Sequence, residues 1–174
     1  MQTSDDPTTR MEVRHDEAAR EKVRAMVDDA RFAMMATYDA AGNAHSRPMA
    51  AVRNDGDTLW FFARSDSRKV SELARDPRVL LDYSDEGKQN YVSLVGRARL
   101  SQDPARAEAL WSEPLRTWFP DGPEDPHITL IEVDVASAEY WDSPSSLMVH
   151  AYGYVKARLT GEPPAPGDVA RVEM

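Results

Sequence analysis

Between Phe32 and Leu100 the chain is cut, at intervals of about one strand's length, by short turn-forming runs: Ala40–Asn43 (AAGN), Asn54–Asp57 (NDGD) and Ser84–Lys88 (SDEGK). Gly, Asn and Asp tolerate the left-handed backbone of tight hairpin turns, so this spacing favours short antiparallel strands over long helices. The intervening segments Phe32–Tyr38, Ala44–Val52, Thr58–Ala63, Arg78–Tyr83 and Tyr91–Leu100 are rich in apolar and aromatic residues. They read as strands, the first three in a meander and the last two as a second hairpin. Ile128–Val135 alternates apolar and polar residues and predicts a half-buried strand running on toward Tyr140-Trp141. Pro48 cannot donate to a ladder, which places its strand at an edge, at a bulge or against a ligand.

Helices punctuate this series. Ala19, Val23, Met26, Val27 and Ala30 recur at helical spacing behind Asp16, predicting a capped amphipathic helix over Asp16–Asp28. Ser67–Arg75 reads as a short helix ended by Pro77, and Asp103-Pro104 as the cap and first turn of another that stops at Pro114. Leu147, Met148, Ala151, Tyr152, Val155 and Leu159 suggest a further helix, with a terminal loop and short strand after it. The expectation from these patterns is an α+β chain, an antiparallel strand series with flanking helices. It consists of a flexible N-terminal arm (1–14) and one domain (15–174), since 174 residues suffice for one buried core.

Composition narrows the chemistry. There are no cysteines, which excludes disulfides, thiolate nucleophiles and Cys-ligated zinc or iron–sulfur clusters. The formal net charge is -9, so no nucleic-acid partner is expected and any phosphate site must be built locally from a few cations. No apolar run approaches the roughly 20 residues of a membrane helix, and the N-terminus lacks a signal-peptide pattern. The expectation is a cytoplasmic protein with no membrane partner. The four histidines, His15, His45, His127 and His150, are far apart in sequence, and no metal site is expected. No glycine-rich nucleotide loop, zinc-protease motif or nucleophile elbow is present, and no catalytic residue nominates itself.

The most informative stretch is Leu59–Ala74, LWFFARSDSRKVSELA. A strand ends in a polar loop, and Ser65, Ser67, Arg68 and Lys69 gather where a helix begins. Free amides and the positive dipole end of a first turn favour an anion, and hydroxyls and cations there add charge-assisted bonds. The plainer account is a Ser67 cap with Arg68 and Lys69 solvated; the residues alone leave both open. Arg47, within Ser46-Arg47-Pro48-Met49, is either a surface arginine on an edge strand or part of the same site.

The ordered series SRPMA, LWFFARSDSRK, YVSLVGRARL and AEYWD resembles the pyridoxamine 5'-phosphate oxidase-related flavoproteins. The segments Trp118–Pro126 and Ala138–Pro144 look most like their general stress protein branch. The resemblance covers about Arg31 to Thr160 and implies an antiparallel FMN-binding split barrel, a homodimer with flavin in clefts between subunits. By that resemblance, Arg47 approaches the flavin ring or phosphate, Pro48 and Met49 lie along the ring, and Phe62 and Ala63 touch its edge. Ser67, Arg68 and Lys69 bind the phosphate, Tyr91 sits where the oxidase has a ring-contacting glutamine, and Trp141 packs over the cofactor from the partner. Two departures stand out. Ala63 replaces a common threonine, and the oxidase's C-terminal arginine-rich substrate motif is absent, so vitamin B6 oxidase activity is not expected.

The resemblance therefore implies FMN as cofactor and, as function, an oxidoreductase acting on a small molecule in the stress response, with NAD(P)H as a candidate donor. The alternatives are a non-catalytic flavin storage or sensing module, or a split barrel that uses haem or a deazaflavin.

Overall fold

The structure is a computed structural model and describes residues 11–142 and 168–174. The elements are β1 (Glu12–Arg14), α1 (Glu17–Ala30), β2 (Phe32–Tyr38), β3 (Ala44–Ala50), β4 (Arg53–Asp55), β5 (Thr58–Arg64), α2 (Arg68–Arg75), β6 (Arg78–Asp85), β7 (Asn90–Ser101), α3 (Pro104–Leu110), β8 (Ile128–Asp142) and β9 (Asp168–Glu173). Two short 3-10 turns, Glu113–Thr117 and Gly122–Glu124, shape the loop between α3 and β8. The helix expected over 147–159 lies outside the described residues.

The strands form one sheet in the order β3-β2-β6-β7-β8, and β8 then branches. Its first half pairs with β5 (Phe61↔Ile131) and its second half with β9 (Tyr140↔Ala170). The chain therefore does not run as a simple meander. β2 and β3 form the expected antiparallel pair (Met35↔Arg47), and β6 and β7 form the second hairpin (Leu81↔Leu94). But β5 leaves its sequence neighbour β3 and crosses to β8, and only the three-residue β4 pairs with it on the other side. The reason lies in burial. Leu59 through Ala63 are all buried, and a strand covered on both faces belongs against the long central β8 rather than at an exposed edge. The sheet curls without closing, and among the described residues the free edge of β3 and the Phe61–Arg64 edge of β5 have no strand partner. This is a split β-barrel. Pro48 sits on the edge strand, where its missing donor costs no ladder bond.

The barrel interior holds Met35, Phe61, Leu81, Leu94, Ile131 and Val133, all at most 2% exposed. Helix α1 closes one side with Ala19, Val23, Met26 and Val27, a stripe at helical spacing. Asp16 caps it, accepting from the Ala19 amide at 2.9 Å. Burying a side chain such as Val23 or Met26 contributes about 1.5–3 kcal/mol. A second cluster lies outside the barrel, where Trp60, Phe62 and Leu130 meet Ala107, Leu110 and Phe119 from α3 and the following loop. Asp103 caps α3 by accepting from the Arg106 amide at 3.1 Å.

The first and last described strands are tied together. Glu12–Arg14, which the sequence placed in an irregular arm, pairs in parallel with β9. Arg14 donates to the buried Tyr140 hydroxyl at 2.8 Å, Tyr140 donates to Asp168 at 3.0 Å, and Lys22 of α1 reaches Asp168 at 2.8 Å. Among the described residues, no helix is long and apolar enough to cross a membrane.

Candidate functional site

The split between β3 and β5 opens into a cavity of about 320 Å³. One wall is the β3 edge, Arg47 through Ala50. Another is the end of β5, Phe62 to Arg64. Ser67 and Lys69 come from the start of α2, and Phe32, Leu115, Trp118 and Phe119 complete the apolar side. The open backbone edges of β3 and β5 supply donors and acceptors that a ligand with polar rim atoms can use.

The polar end rests on three residues. Ser67 occupies the N-cap position of α2 but makes no capping bond, and its hydroxyl is buried with no partner among the described residues. This corrects the plain reading of Ser67 as a capping side chain: it stands at the cap position, but its hydroxyl accepts from no first-turn amide. Lys69 makes no ion pair or hydrogen bond among the described residues. Burial, and then the nearby Arg47 charge, hold its ammonium below the ordinary lysine pKa. The third is Arg47, whose guanidinium is anchored from behind: Nη1 donates to Thr37 Oγ1 at 2.5 Å and to the Met35 carbonyl at 3.3 Å. A half-buried cation without a counter-ion, beside an orphaned hydroxyl at a helix start, is arranged for an anion.

Arg68 belongs to a different network. Its Nε donates to Glu72 Oε1 at 2.7 Å and its Nη2 to His45 Nε2 at 2.5 Å, with Asp39 at 3.9 Å. Ser67, in extended backbone before the helix, and Lys69 line the cavity, and Arg68 does not. His45, half-buried beside Asp39 at 3.2 Å, also lies outside the cavity lining.

The loop after α3 is presented rigidly. Phe119 is 3% exposed and its ring lies 6.0 Å from Phe62, which also meets Trp111 edge-on at 6.0 Å. Arg116 holds the turn by donating to Glu113 at 2.9 Å and to the Pro120 carbonyl at 3.2 Å. Trp118, in contrast, is 63% exposed at the cavity.

Of the residues singled out in the sequence, Arg47, Pro48, Met49, Phe62, Ala63, Ser67 and Lys69 come together around this cavity. Arg68, Tyr91 and Trp141 do not. Tyr91 and Trp141 stand opposite each other on β7 and β8, on the outer face of the sheet. Sequence reasoning missed Phe32, Ala50, Arg64, Leu115, Trp118 and Phe119. The Pro/Gly/Asp-rich segment after Trp118 was the available signal, but only the fold shows that this loop turns back onto β5.

Residues 18–165 match the family model described as pyridoxamine 5'-phosphate oxidase like.

The chain belongs to the pyridoxamine 5'-phosphate oxidase-like family.

Within the family, the chain is 30% identical over 118 residues to general stress protein 26 of Bacillus subtilis, covering 66% of this chain and 82% of that protein. Among solved structures it resembles the general stress FMN/FAD binding protein of Xanthomonas citri, with TM-score 0.66 and 29% identity over 76% of this chain and 94% of the other. A protein of Clostridium acetobutylicum related to general stress protein 26 superposes with TM-score 0.66 at 23% identity, covering 73% of this chain and 90% of that one, and shares the fold. In this family member the site residues lie where an open barrel seam meets a helix start, and Ser67 and Lys69, which have no partner among the described residues, lie at that junction.

Proposed function

We propose that this protein binds FMN in the cavity between β3 and β5 and works as an oxidoreductase on a small molecule in the stress response. The observation that carries the proposal is the pairing of a buried Ser67 hydroxyl with the Lys69 ammonium, neither of which has a partner among the described residues, at one end of a cavity otherwise lined mainly by apolar side chains. That pattern suits a phosphate monoester joined to a planar ring. The Xanthomonas citri relative is described as an FMN/FAD binding protein, which supports the choice of flavin.

In this reading Lys69, the Ser67 hydroxyl and the first-turn amides of α2 hold the phosphate. Arg47 adds its charge at the phosphate end, the open β3 edge faces the polar rim of the ring, and Met49, Phe62, Trp118 and Leu115 exclude water from it. FMN when bound supplies the redox chemistry, exchanging hydride or electrons with a donor such as NAD(P)H.

The working unit is a homodimer in the cytoplasm. The outer sheet face leaves Phe32, Met34, Tyr91 and Val95 between 43% and 59% exposed, and Trp141 stands opposite Tyr91 on the same face. An apolar face of this kind favours a partner. Packing a second copy there brings Tyr91 and Trp141 toward the neighbouring site.

The first test is an absorption spectrum after soaking with FMN and desalting, with sedimentation to give the mass of the species that carries the flavin. Flavin bands at near-equal stoichiometry on a dimer are expected, followed by NADH- or NADPH-dependent bleaching. A colourless protein that leaves FMN fluorescence unquenched refutes the cofactor assignment. Flavin on a monomer refutes the shared site, and a flavin that no pyridine nucleotide bleaches points instead to storage or sensing.

A further inference from the structure

Behind the cavity, one carboxylate touches both arginines of the region. Glu72 of α2 is 2% exposed. Its Oε2 accepts from Thr37 Oγ1 at 2.5 Å and lies 3.4 Å from Arg47 Nη2, while its Oε1 accepts from Arg68 Nε at 2.7 Å. Thr37, itself fully buried, passes the connection on by accepting from Arg47 Nη1. Burial alone would push the Glu72 carboxyl up. The bonds from Thr37 and Arg68 and the two guanidinium charges bring it below its ordinary value, so it is an anion at neutral pH.

A buried anion this close to a phosphate site looks unfavourable, because it repels the ligand. It also does something that only a carboxylate in that place can do. Arg47 stands on an edge strand, and its long side chain loses much rotamer freedom when fixed. Thr37, the Met35 carbonyl and Glu72 fix it before any ligand arrives.

We propose that Glu72 is the positioning residue of the anion site: it holds Arg47 toward the cavity, and this preorganisation outweighs its repulsion of the bound phosphate. The inference rests on the reading that the cavity takes a phosphate-bearing ligand. Electrostatics and positioning predict opposite signs. Neutralising Glu72 makes the site one charge more positive, so simple Coulomb attraction demands tighter binding. Loss of positioning demands weaker binding.

The experiment measures FMN dissociation constants by fluorescence quenching, and inorganic phosphate affinity by 31P NMR, for wild type, Glu72→Gln, Glu72→Asp, Arg47→Met and the Glu72→Gln/Arg47→Met double variant. Glu72→Gln is expected to bind both probes about tenfold or more weakly. Glu72→Asp, which keeps the charge, should return to within about threefold of wild type. In the Arg47→Met background Glu72→Gln should cost nothing further, because the residue it positions is gone. Binding by Glu72→Gln that is as tight as wild type or tighter overturns the proposal, as does an equal loss in the presence and absence of Arg47. Should Glu72→Gln fail to fold, Thr37→Val removes the hydroxyl that links Glu72 to Arg47. It is expected to weaken binding severalfold, and unchanged affinity sinks the idea. A wild type that binds phosphate but not FMN defeats the flavin assignment while leaving the Glu72 cycle decided by phosphate. A wild type that binds neither defeats both.

Discussion

Lys69 and Arg68 are adjacent in sequence and carry the same charge, yet the structure gives them different work, and replacing each singly with alanine separates the two roles. Lys69 lines the cavity, half-buried and without a counter-ion among the described residues. A hydrogen bond to a charged group contributes about 1.5–3 kcal/mol, and partial exposure places Lys69 in the lower part of that range, about 1.5–2 kcal/mol. At about 1.4 kcal/mol per decade, Lys69→Ala should weaken FMN roughly 10- to 30-fold. Arg68 has a side chain 60% exposed and spends its donors on Glu72 and His45. The pair is exposed on the arginine side only, and Glu72 keeps its Thr37 and Arg47 contacts when Arg68 is lost, so Arg68→Ala should cost less than about fivefold in FMN affinity. The assay is quenching of FMN fluorescence on titration with protein, with circular dichroism to confirm that both variants fold. If Arg68→Ala costs more than Lys69→Ala, the phosphate lies on the outer side of α2 and the cavity is not its site.

Two further outcomes are expected. Lys69 has its pKa lowered, first by burial and then by Arg47, so in the free protein it loses its proton below the ordinary lysine value of 10.5. The charged form binds the phosphate, so FMN affinity should fall as pH rises through the alkaline range toward that value. Lys69→Ala should lack this limb while keeping any acid limb set by the phosphate's own second ionisation near about 6; an unchanged alkaline limb in Lys69→Ala would rule Lys69 out as its source. Elsewhere, Gly96 sits at the register shift between β7 and β8, and a Cβ there would meet the Asp134 carbonyl oxygen at 2.5 Å and Val133 Cγ1 at 3.0 Å. Gly96→Ala forces two central strands apart and should cost about 1–3 kcal/mol, seen as a lower melting temperature, whereas Gly87→Ala, which meets only the Asp85 side chain at 3.3 Å, should stay within about 0.5 kcal/mol.

Much of the local structure was legible without coordinates. The Asp16 and Asp103 caps, the ends of α2, the β6–β7 hairpin and the edge placement of Pro48 follow from rules that act over a few residues: which side chains accept from a first-turn amide, and which residue cannot donate to a ladder. The hairpin before β5 shifted slightly, since Asn54 lies inside β4 and the turn narrows to Gly56-Asp57, where Gly56 takes φ 66°. Local chemistry also marked Ser67, Arg68 and Lys69 as a helix start suited to an anion.

Long-range pairing was not legible. The sequence order suggests that β5 follows β3 in the sheet, but β5 instead joins β8 some 70 residues on (Phe61↔Ile131), because only there are both of its apolar faces covered. That one choice opens the seam, makes the cavity and brings Phe32, Trp118 and Phe119 to it from distant parts of the chain. The same dependence divides the basic cluster. Sequence put Arg68 and Lys69 at one helix start and left Arg47 open between that site and an edge-strand surface. Only the tertiary structure decided that Glu72, buried between two of them, takes Arg68 away from the cavity and steadies Arg47 beside it. Residue types and local periodicity specify what a segment can form, whereas partners across the sheet depend on the burial of every other segment at once, which no local pattern encodes.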